Sequence, residues 1–203
     1  MTLTLMLCLL ATLVPMFFGR VSAAPVWLGV QALALGWITL NAEPELSVHA
    51  ALAGLEVLLL RALLVPYLLR RALARQGHAR VNLMPSNLFS WGIAVALIIF
   101  AFKFGDGARA DVRALTLGVV ASTVVMAFLI LATNAHKMAQ LVALLFMENA
   151  LALFESLTPE PWPLPVHGLV SGVYLLSVAV GCWLASDEPE PIDAPEHDAG
   201  ELA

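Results

Sequence analysis

Long apolar runs separated by short polar connections dominate this chain. Seven stretches approach the roughly 20 apolar residues that a helix needs to cross about 30 Å of hydrocarbon. They cover residues 1–19, 22–42, 47–70, 86–104, 112–133, 136–157 and 165–185. The connections between them are too short to hold a soluble catalytic domain. The pattern predicts an all-α, polytopic membrane protein with about seven transmembrane helices.

Composition supports lipid as the solvent for most of the chain. Of the 203 residues, 61% are hydrophobic and 12% are charged, and the mean hydropathy is +0.88. A soluble domain carries about a quarter charged residues. Seven of the 15 acidic residues lie in the last 18 positions, together with three prolines. We therefore expect an integral membrane domain over residues 1–185 and a disordered, acidic tail over 186–203.

The distribution of basic residues predicts the orientation, because Lys and Arg in short connections favour the cytoplasmic side. Seven alternating spans place two groups of bases on opposite sides. One side holds Arg20, Arg70, Arg71, Arg75, Arg80 and Lys137, and the other holds Lys103, Arg109 and Arg113. We expect the first side to be cytoplasmic, with the N-terminus outside and the acidic tail in the cytoplasm.

The sixth apolar segment contains a carboxylate, Glu148, near its middle. A charge at this depth costs a few kcal/mol and is usually kept for function. Lys137 and Glu155 are 11 and 7 residues away, so at 100° per residue all three lie within about 20° of one line. This face could carry a proton relay, which His136 beside Lys137 could extend. Alternatively, Glu148 bonds a neighbouring helix or subunit, and Lys137 and Glu155 anchor the helix ends at the membrane surface.

The third apolar segment carries a second acid–base set, Glu56 and Arg61. Five residues of α-helix separate their directions by about 140°. We therefore expect each to seek a partner on another helix, with Glu148 a candidate for Arg61. Pro66 should leave a carbonyl near Ala62 without its helical donor. An arginine stays charged, so Arg61 could tune a neighbouring acid but not carry a proton. A static ion pair between helices is the alternative.

Motifs for catalysis and cofactor binding are missing from the sequence. It contains no Walker loop, no GxGxxG, no HExxH and no serine elbow. Cys8 and Cys182 are far apart and have no ligand-spaced partner, so no metal site is predicted. We expect no cofactor, no catalytic centre within the chain and no nucleic-acid partner.

Two segments resemble the E component of hydrogenase-4-type membrane complexes. This family is related to the K subunit of complex I and to the C subunit of Mrp-type sodium/proton antiporters. The segments are Leu145-Phe146-Met147-Glu148-Asn149 and Arg61-Ala62-Leu63-Leu64-Val65-Pro66, preceded by Gly54-Leu55-Glu56-Val57. The likeness covers roughly residues 47–185, and segments five to seven are similar to the three-helix K-type subunit.

The resemblance implies an accessory subunit in a bacterial inner membrane, within a complex-I-like assembly. Glu148 would take part in a lateral proton or charge path beside a large antiporter-like subunit, and the redox cofactors would lie on other chains. One departure concerns the second glutamate that K-type subunits carry in the following helix. Segment seven has no acid and has Ser171 and Tyr174 instead, so Glu56 or Glu155 would have to substitute.

Two other functions fit the sequence. An Mrp-like sodium/proton antiporter component would couple its transport to sodium. A structural scaffold would only link larger membrane subunits within the lipid bilayer.

Overall fold

The computed structural model describes residues 1–41, 48–76, 81–85, 87–104, 111–155, 157–158 and 162–186. Within these ranges the regular structure is helical, apart from one isolated bridge between Arg20 and Asn82. The all-α class is therefore confirmed. Of the proposed acidic tail, residues 187–203 lie outside the described residues, as do Arg80 and Arg109.

The helices follow the predicted apolar segments closely. The third helix, α3, covers residues 48–76 and has three parts: α-helical Val48–Glu56, π-helical Val57–Leu64 and α-helical Val65–Gln76. The others are α1 (Thr2–Phe18), α2 (Ala24–Leu40), α4 (Leu88–Phe104), α5 (Val112–Thr133), α6 (Lys137–Glu155) and α7 (Leu164–Ser186). A short 3₁₀ turn, Val21–Ala23, leads into α2.

Five of these helical stretches are long and apolar enough to cross a membrane. They are Val21–Leu40, Ala50–Arg75, Val112–Thr133, Lys137–Glu155 and Pro165–Ser186. The remaining two, α1 and α4, are apolar but have 17 residues each. Seventeen residues span about 25 Å, at the lower limit for a transmembrane helix. The chain thus has the helices of a membrane protein, and the count of seven spans stays a prediction.

The helix termini lie at two opposite ends of the bundle, and hydrogen bonds join neighbouring connections at each end. At one end, bonds join Val21 N to Val81 O (2.8 Å), Asn134 Nδ2 to Leu83 O (2.9 Å) and Lys137 Nζ to Leu184 O (3.0 Å). At the other, the Arg113 guanidinium donates to the Leu157 carbonyl at 3.2 Å. We expect this arrangement if successive helices run in alternating directions through the bundle.

Helix α6 lies in the interior of the bundle, and α7 lies at its edge. Ten of the residues of α6 are buried, among them Phe146 and Asn149, and the helix packs against α2, α5 and α7. By contrast, only 22% of the residues in the most apolar part of α7 are buried inside the protein. Apolar side chains facing outward are normal in a membrane protein, because lipid tails are as apolar as leucine.

Candidate functional site

Arg61 is the centre of a polar cluster inside the bundle. Its side chain is 2% exposed, although it is an arginine. Nη1 donates to Asn149 Oδ1 at 3.1 Å and to the main-chain carbonyl of Glu148 at 3.4 Å, both on α6. Its guanidinium carbon lies 4.3 Å from the ring centroid of Tyr174 on α7, at cation–π distance. Two neighbouring helices therefore hold this cation in place.

Glu56 is the ionic partner of Arg61, at 3.6 Å between Oε1 and Nε. The prediction that these two side chains point apart was wrong, because it assumed an α-helix between them. Residues Val57–Leu64 are π-helical, and the Val65 amide donates to the Leu60 carbonyl, five residues back. Hydrogen bonds from i to i+5 bring residues five apart to the same side of the helix. The local π register thus creates the ion pair.

The carboxylate of Glu56 also links α3 to α7. Oε1 accepts a hydrogen bond from Ser171 Oγ at 2.7 Å, and the side chain is 22% exposed. Glu56 is therefore less enclosed than the arginine that it neutralises. A hydrogen bond to an ionised group is roughly twice as strong as a neutral one, which favours this contact when Glu56 is charged.

Glu148 is half-buried and faces the same part of α7. Its Oε1 accepts a hydrogen bond from Ser177 Oγ at 2.9 Å. The other oxygen, Oε2, is buried and has no hydrogen-bond partner among the described residues. Arg61 lies next to Glu148, as expected, but its direct contact is with the backbone carbonyl, and its attraction to the carboxylate acts over a longer distance.

The three charged residues of α6 share one face, as the spacing predicts. This face packs along α7, which runs antiparallel to α6. Lys137 donates to Leu184 O at 3.0 Å, Glu148 accepts from Ser177, and Glu155 Oε1 lies 2.9 Å from His167 Nε2. Because Lys137 and Glu155 lie at opposite ends of the helix, neither belongs to the Arg61 cluster. Their role in a relay stays a prediction.

His136 and Glu155 belong to the two ends of the bundle. The backbone amide of His136 donates to Asn134 Oδ1 at 3.0 Å, just before α6 begins. Glu155 Oε1 also accepts from the Trp162 amide at 3.1 Å, so it fastens the connection that leads into α7. Both positions suit a contact with the membrane surface, and both are remote from Arg61 along the bundle axis.

A second set of polar residues extends the cluster through α2 to α1. Asn149 Nδ2 donates to Gln31 Oε1 at 3.0 Å, and Gln31 Nε2 donates to Thr12 Oγ1 at 2.9 Å. Thr12 in turn donates to the Cys8 carbonyl at 3.1 Å. Neither Gln31 nor Thr12 was predicted from the sequence. A glutamine in the middle of an apolar span was the signal that could have found the first of them.

Helix α2 packs closely against the π-helical segment of α3. A Cβ atom on Gly29 would lie 3.3 Å from the Ala62 carbonyl oxygen and 3.6 Å from Pro66 Cγ. Pro66 has no amide hydrogen to donate to that carbonyl. A glycine at this position lets α2 approach the backbone immediately beside Arg61.

Chemically, the site combines one permanent cation with two carboxylates and several neutral hydrogen-bonding groups. In the part of the chain that the structure describes, no group of three or more His, Cys, Asp or Glu side chains could hold a metal ion. The two carboxyl groups of the cluster belong to Glu56 and Glu148.

The chain matches no family model, no curated protein and no solved structure. The likeness to hydrogenase-4-type E components therefore rests on the quoted sequence segments alone.

Proposed function

We propose that this chain is an accessory membrane subunit in which a proton exchanges between Glu148 and Glu56 beside Arg61. The observation that supports this proposal is the presence of two carboxylates, from α6 and α3, around one buried arginine. Both acids lie well inside apolar helices, where charges are rare and usually functional. Both bond to a serine of α7, Ser177 for Glu148 and Ser171 for Glu56.

The charges of the cluster favour a state with one proton on the two acids. If both carboxylates are ionised, the cluster carries a net charge of −1, and if one is protonated it is neutral. Burying an uncompensated charge is costly, so the neutral set is preferred in a low-dielectric layer. A single proton can then reside on either acid. Arg61 stays charged throughout and keeps the remaining carboxylate neutralised.

The family resemblance supports the proposal that this proton exchange occurs within a larger assembly. We propose a hydrogenase-4-type, complex-I-like complex in a bacterial inner membrane, with redox cofactors on other chains and an antiporter-like subunit as neighbour. In K-type subunits a second glutamate follows on the next helix. Here, Glu56 reaches Ser171 of α7 and is the better substitute, because Glu155 lies at the end of α6. Lys137, Glu155 and His136 would then serve at the surfaces.

The test is Glu148→Gln in the intact complex, isolated with the partners that co-purify. We expect proton translocation to be lost while the assembly remains intact, because glutamine preserves the Ser177 hydrogen bond but cannot exchange a proton. Asp111→Asn is the matched control, since Asp111 caps α5 through the Arg113 amide outside the cluster. Translocation that survives Glu148→Gln in an intact assembly would refute the proposal.

A scaffold function is the main alternative, because the hydrogen bonds and the Glu56–Arg61 ion pair that lead from Thr12 to Ser171 connect five helices. In that case, Glu148→Gln would either change nothing or prevent assembly. The second alternative is that the chain is a component of an Mrp-like sodium/proton antiporter. It predicts that translocation by the unaltered complex rises with sodium concentration, whereas the proton exchange proposed here does not require sodium.

A further inference from the structure

Unsatisfied polar atoms are concentrated at the Arg61 cluster. Four buried side-chain nitrogen or oxygen atoms of the described residues have no hydrogen-bond partner. Three of them are Arg61 Nε, Glu148 Oε2 and the Tyr174 hydroxyl, and the fourth is on Thr123 of α5. Arg61 is 2% exposed and Tyr174 is 0% exposed, so bulk water cannot reach either side chain. Buried polar groups in native proteins almost always have a hydrogen-bond partner, either in the protein or in ordered water. Three buried polar atoms without one in the same cluster therefore indicate a bound partner that is not a side chain.

Contacts on α6 and α7 bring the three atoms into one region. The guanidinium lies over the Tyr174 ring, and Ser177, one turn further along α7, holds the Glu148 carboxylate. The phenol of Tyr174 accordingly interacts electrostatically with both Arg61 and Glu148. Asn149 is also close to the hydroxyl, but the two side chains do not form a hydrogen bond of good geometry, and Asn149 bonds instead to Arg61 and Gln31. Among the described residues, none forms a hydrogen bond with any of these three atoms.

We propose that internal water is bound between Arg61, Glu148 and Tyr174. Arg61 Nε would donate to the water oxygen, the water would donate to Glu148 Oε2, and the Tyr174 hydroxyl would complete the shell. A buried water typically makes about three hydrogen bonds to groups that would otherwise be unsatisfied, which matches this set. The chemistry favours water over a metal cation, because the guanidinium repels a second positive charge.

The role of this water rests on the proposed function. Arg61 Nε lies 3.6 Å from Glu56 Oε1, so a water bonded to that nitrogen and to Glu148 would also be near Glu56. The water could pass a proton from one acid to the other, which Arg61 cannot do because it stays charged. Its binding, however, requires only the three unsatisfied atoms and not the transport of a proton.

Radiolytic hydroxyl-radical labelling of the full chain in lipid nanodiscs tests the proposal. Ionising radiation generates radicals from bound water, and these modify the adjacent side chain. Phe146 is the matched control, because it is an aromatic residue with 0% exposure on α6 and belongs to the apolar core. We expect Tyr174 to be modified several-fold faster than Phe146. Equal, low rates at both residues would overturn the proposal.

A density map of the same sample at water-resolving resolution provides the second measurement. We expect a peak at hydrogen-bonding distance, about 2.5–3.2 Å, from Glu148 Oε2 and the Tyr174 hydroxyl. The peak should remain when choline replaces sodium in the buffer. A peak that requires sodium would identify a cation and overturn the proposal.

These outcomes separate the bound water from the proposed function. If Glu148→Gln abolishes translocation but Tyr174 is labelled no faster than Phe146, proton exchange stands and the bound water does not. If Tyr174 is labelled and Glu148→Gln translocates normally, the water stands and proton exchange does not.

Discussion

Glu56 and Arg61 form an ion pair although five residues separate them on one helix, because the helix between them has π geometry. In an α-helical register the same side chains would diverge by about 140°. The π-helical segment therefore determines which acid neutralises the buried cation. Such segments are often found at functional sites.

Replacing Arg61 by Gln should destabilise the protein strongly. Removing one partner of a buried ion pair costs about 3–5 kcal/mol in soluble proteins, because the other charge is left uncompensated. Here, Glu56 would lose its partner, and Asn149 Oδ1 would lose its donor. The measurement is the free energy of unfolding in mixed micelles, at neutral pH. Arg70→Gln, an exposed arginine on the same helix, is the control and should change it little. Similar values for both variants would contradict the assigned role of Arg61.

Gln31 and Asn149 should be energetically coupled. Gln31→Leu leaves Asn149 Nδ2 without its acceptor and Thr12 without its donor. Hydrogen bonds between transmembrane helices contribute about 0.6 kcal/mol on average, and up to about 1.7 kcal/mol. A double-mutant cycle with Asn149→Ala should return a coupling energy in this range. Thr39→Val is the control, because Thr39 bonds the Leu35 carbonyl of its own helix. A coupling of zero would show that the Gln31–Asn149 contact contributes nothing to stability.

Gly181 and Gly172 of α7 should respond differently to alanine. A Cβ atom at Gly181 would meet Leu141 Cδ1 at 2.5 Å, whereas nothing lies within 4 Å of one at Gly172. Overpacking of this kind typically costs about 1–3 kcal/mol. We therefore expect Gly181→Ala to lower the free energy of unfolding and to weaken the contact between α6 and α7. Gly172→Ala should be neutral or slightly stabilising, and equal effects would contradict this packing.

The orientation can be tested with single cysteines in a background of Cys8→Ala and Cys182→Ala. Arg113 and Lys137 begin α5 and α6 at opposite ends of the bundle. If the basic end is cytoplasmic, a membrane-impermeant maleimide should label Arg113→Cys in intact cells. It should label Lys137→Cys only after the membrane is opened. The reverse pattern would place the N-terminus in the cytoplasm.

The sequence was sufficient to predict the helices and the shared face of α6, but not the pairing within α3. The long apolar runs located each segment within a few residues, and the spacing of Lys137, Glu148 and Glu155 correctly placed them along one neighbouring helix. The direction of Arg61 could not be derived, because the apolar pattern of the segment does not distinguish the π register of Val57–Leu64 from an α-helix. The contribution of Gln31 was not predicted for a related reason. Its partner, Asn149, comes from a helix 118 residues away along the chain.

Because α7 lies at the edge of the bundle, it stands between the Arg61 cluster and the neighbouring lipid or protein in the bilayer. Tyr174 stacks on the arginine from one side of this helix, and the other side, with Leu169, Val173 and Leu176, is uncovered. The thickness of one helix, about 10 Å, thus separates the fixed positive charge from the next molecule. Mobile ions screen poorly in a hydrocarbon layer. A lipid or protein seated there would therefore experience nearly the full field of the guanidinium and its two acids.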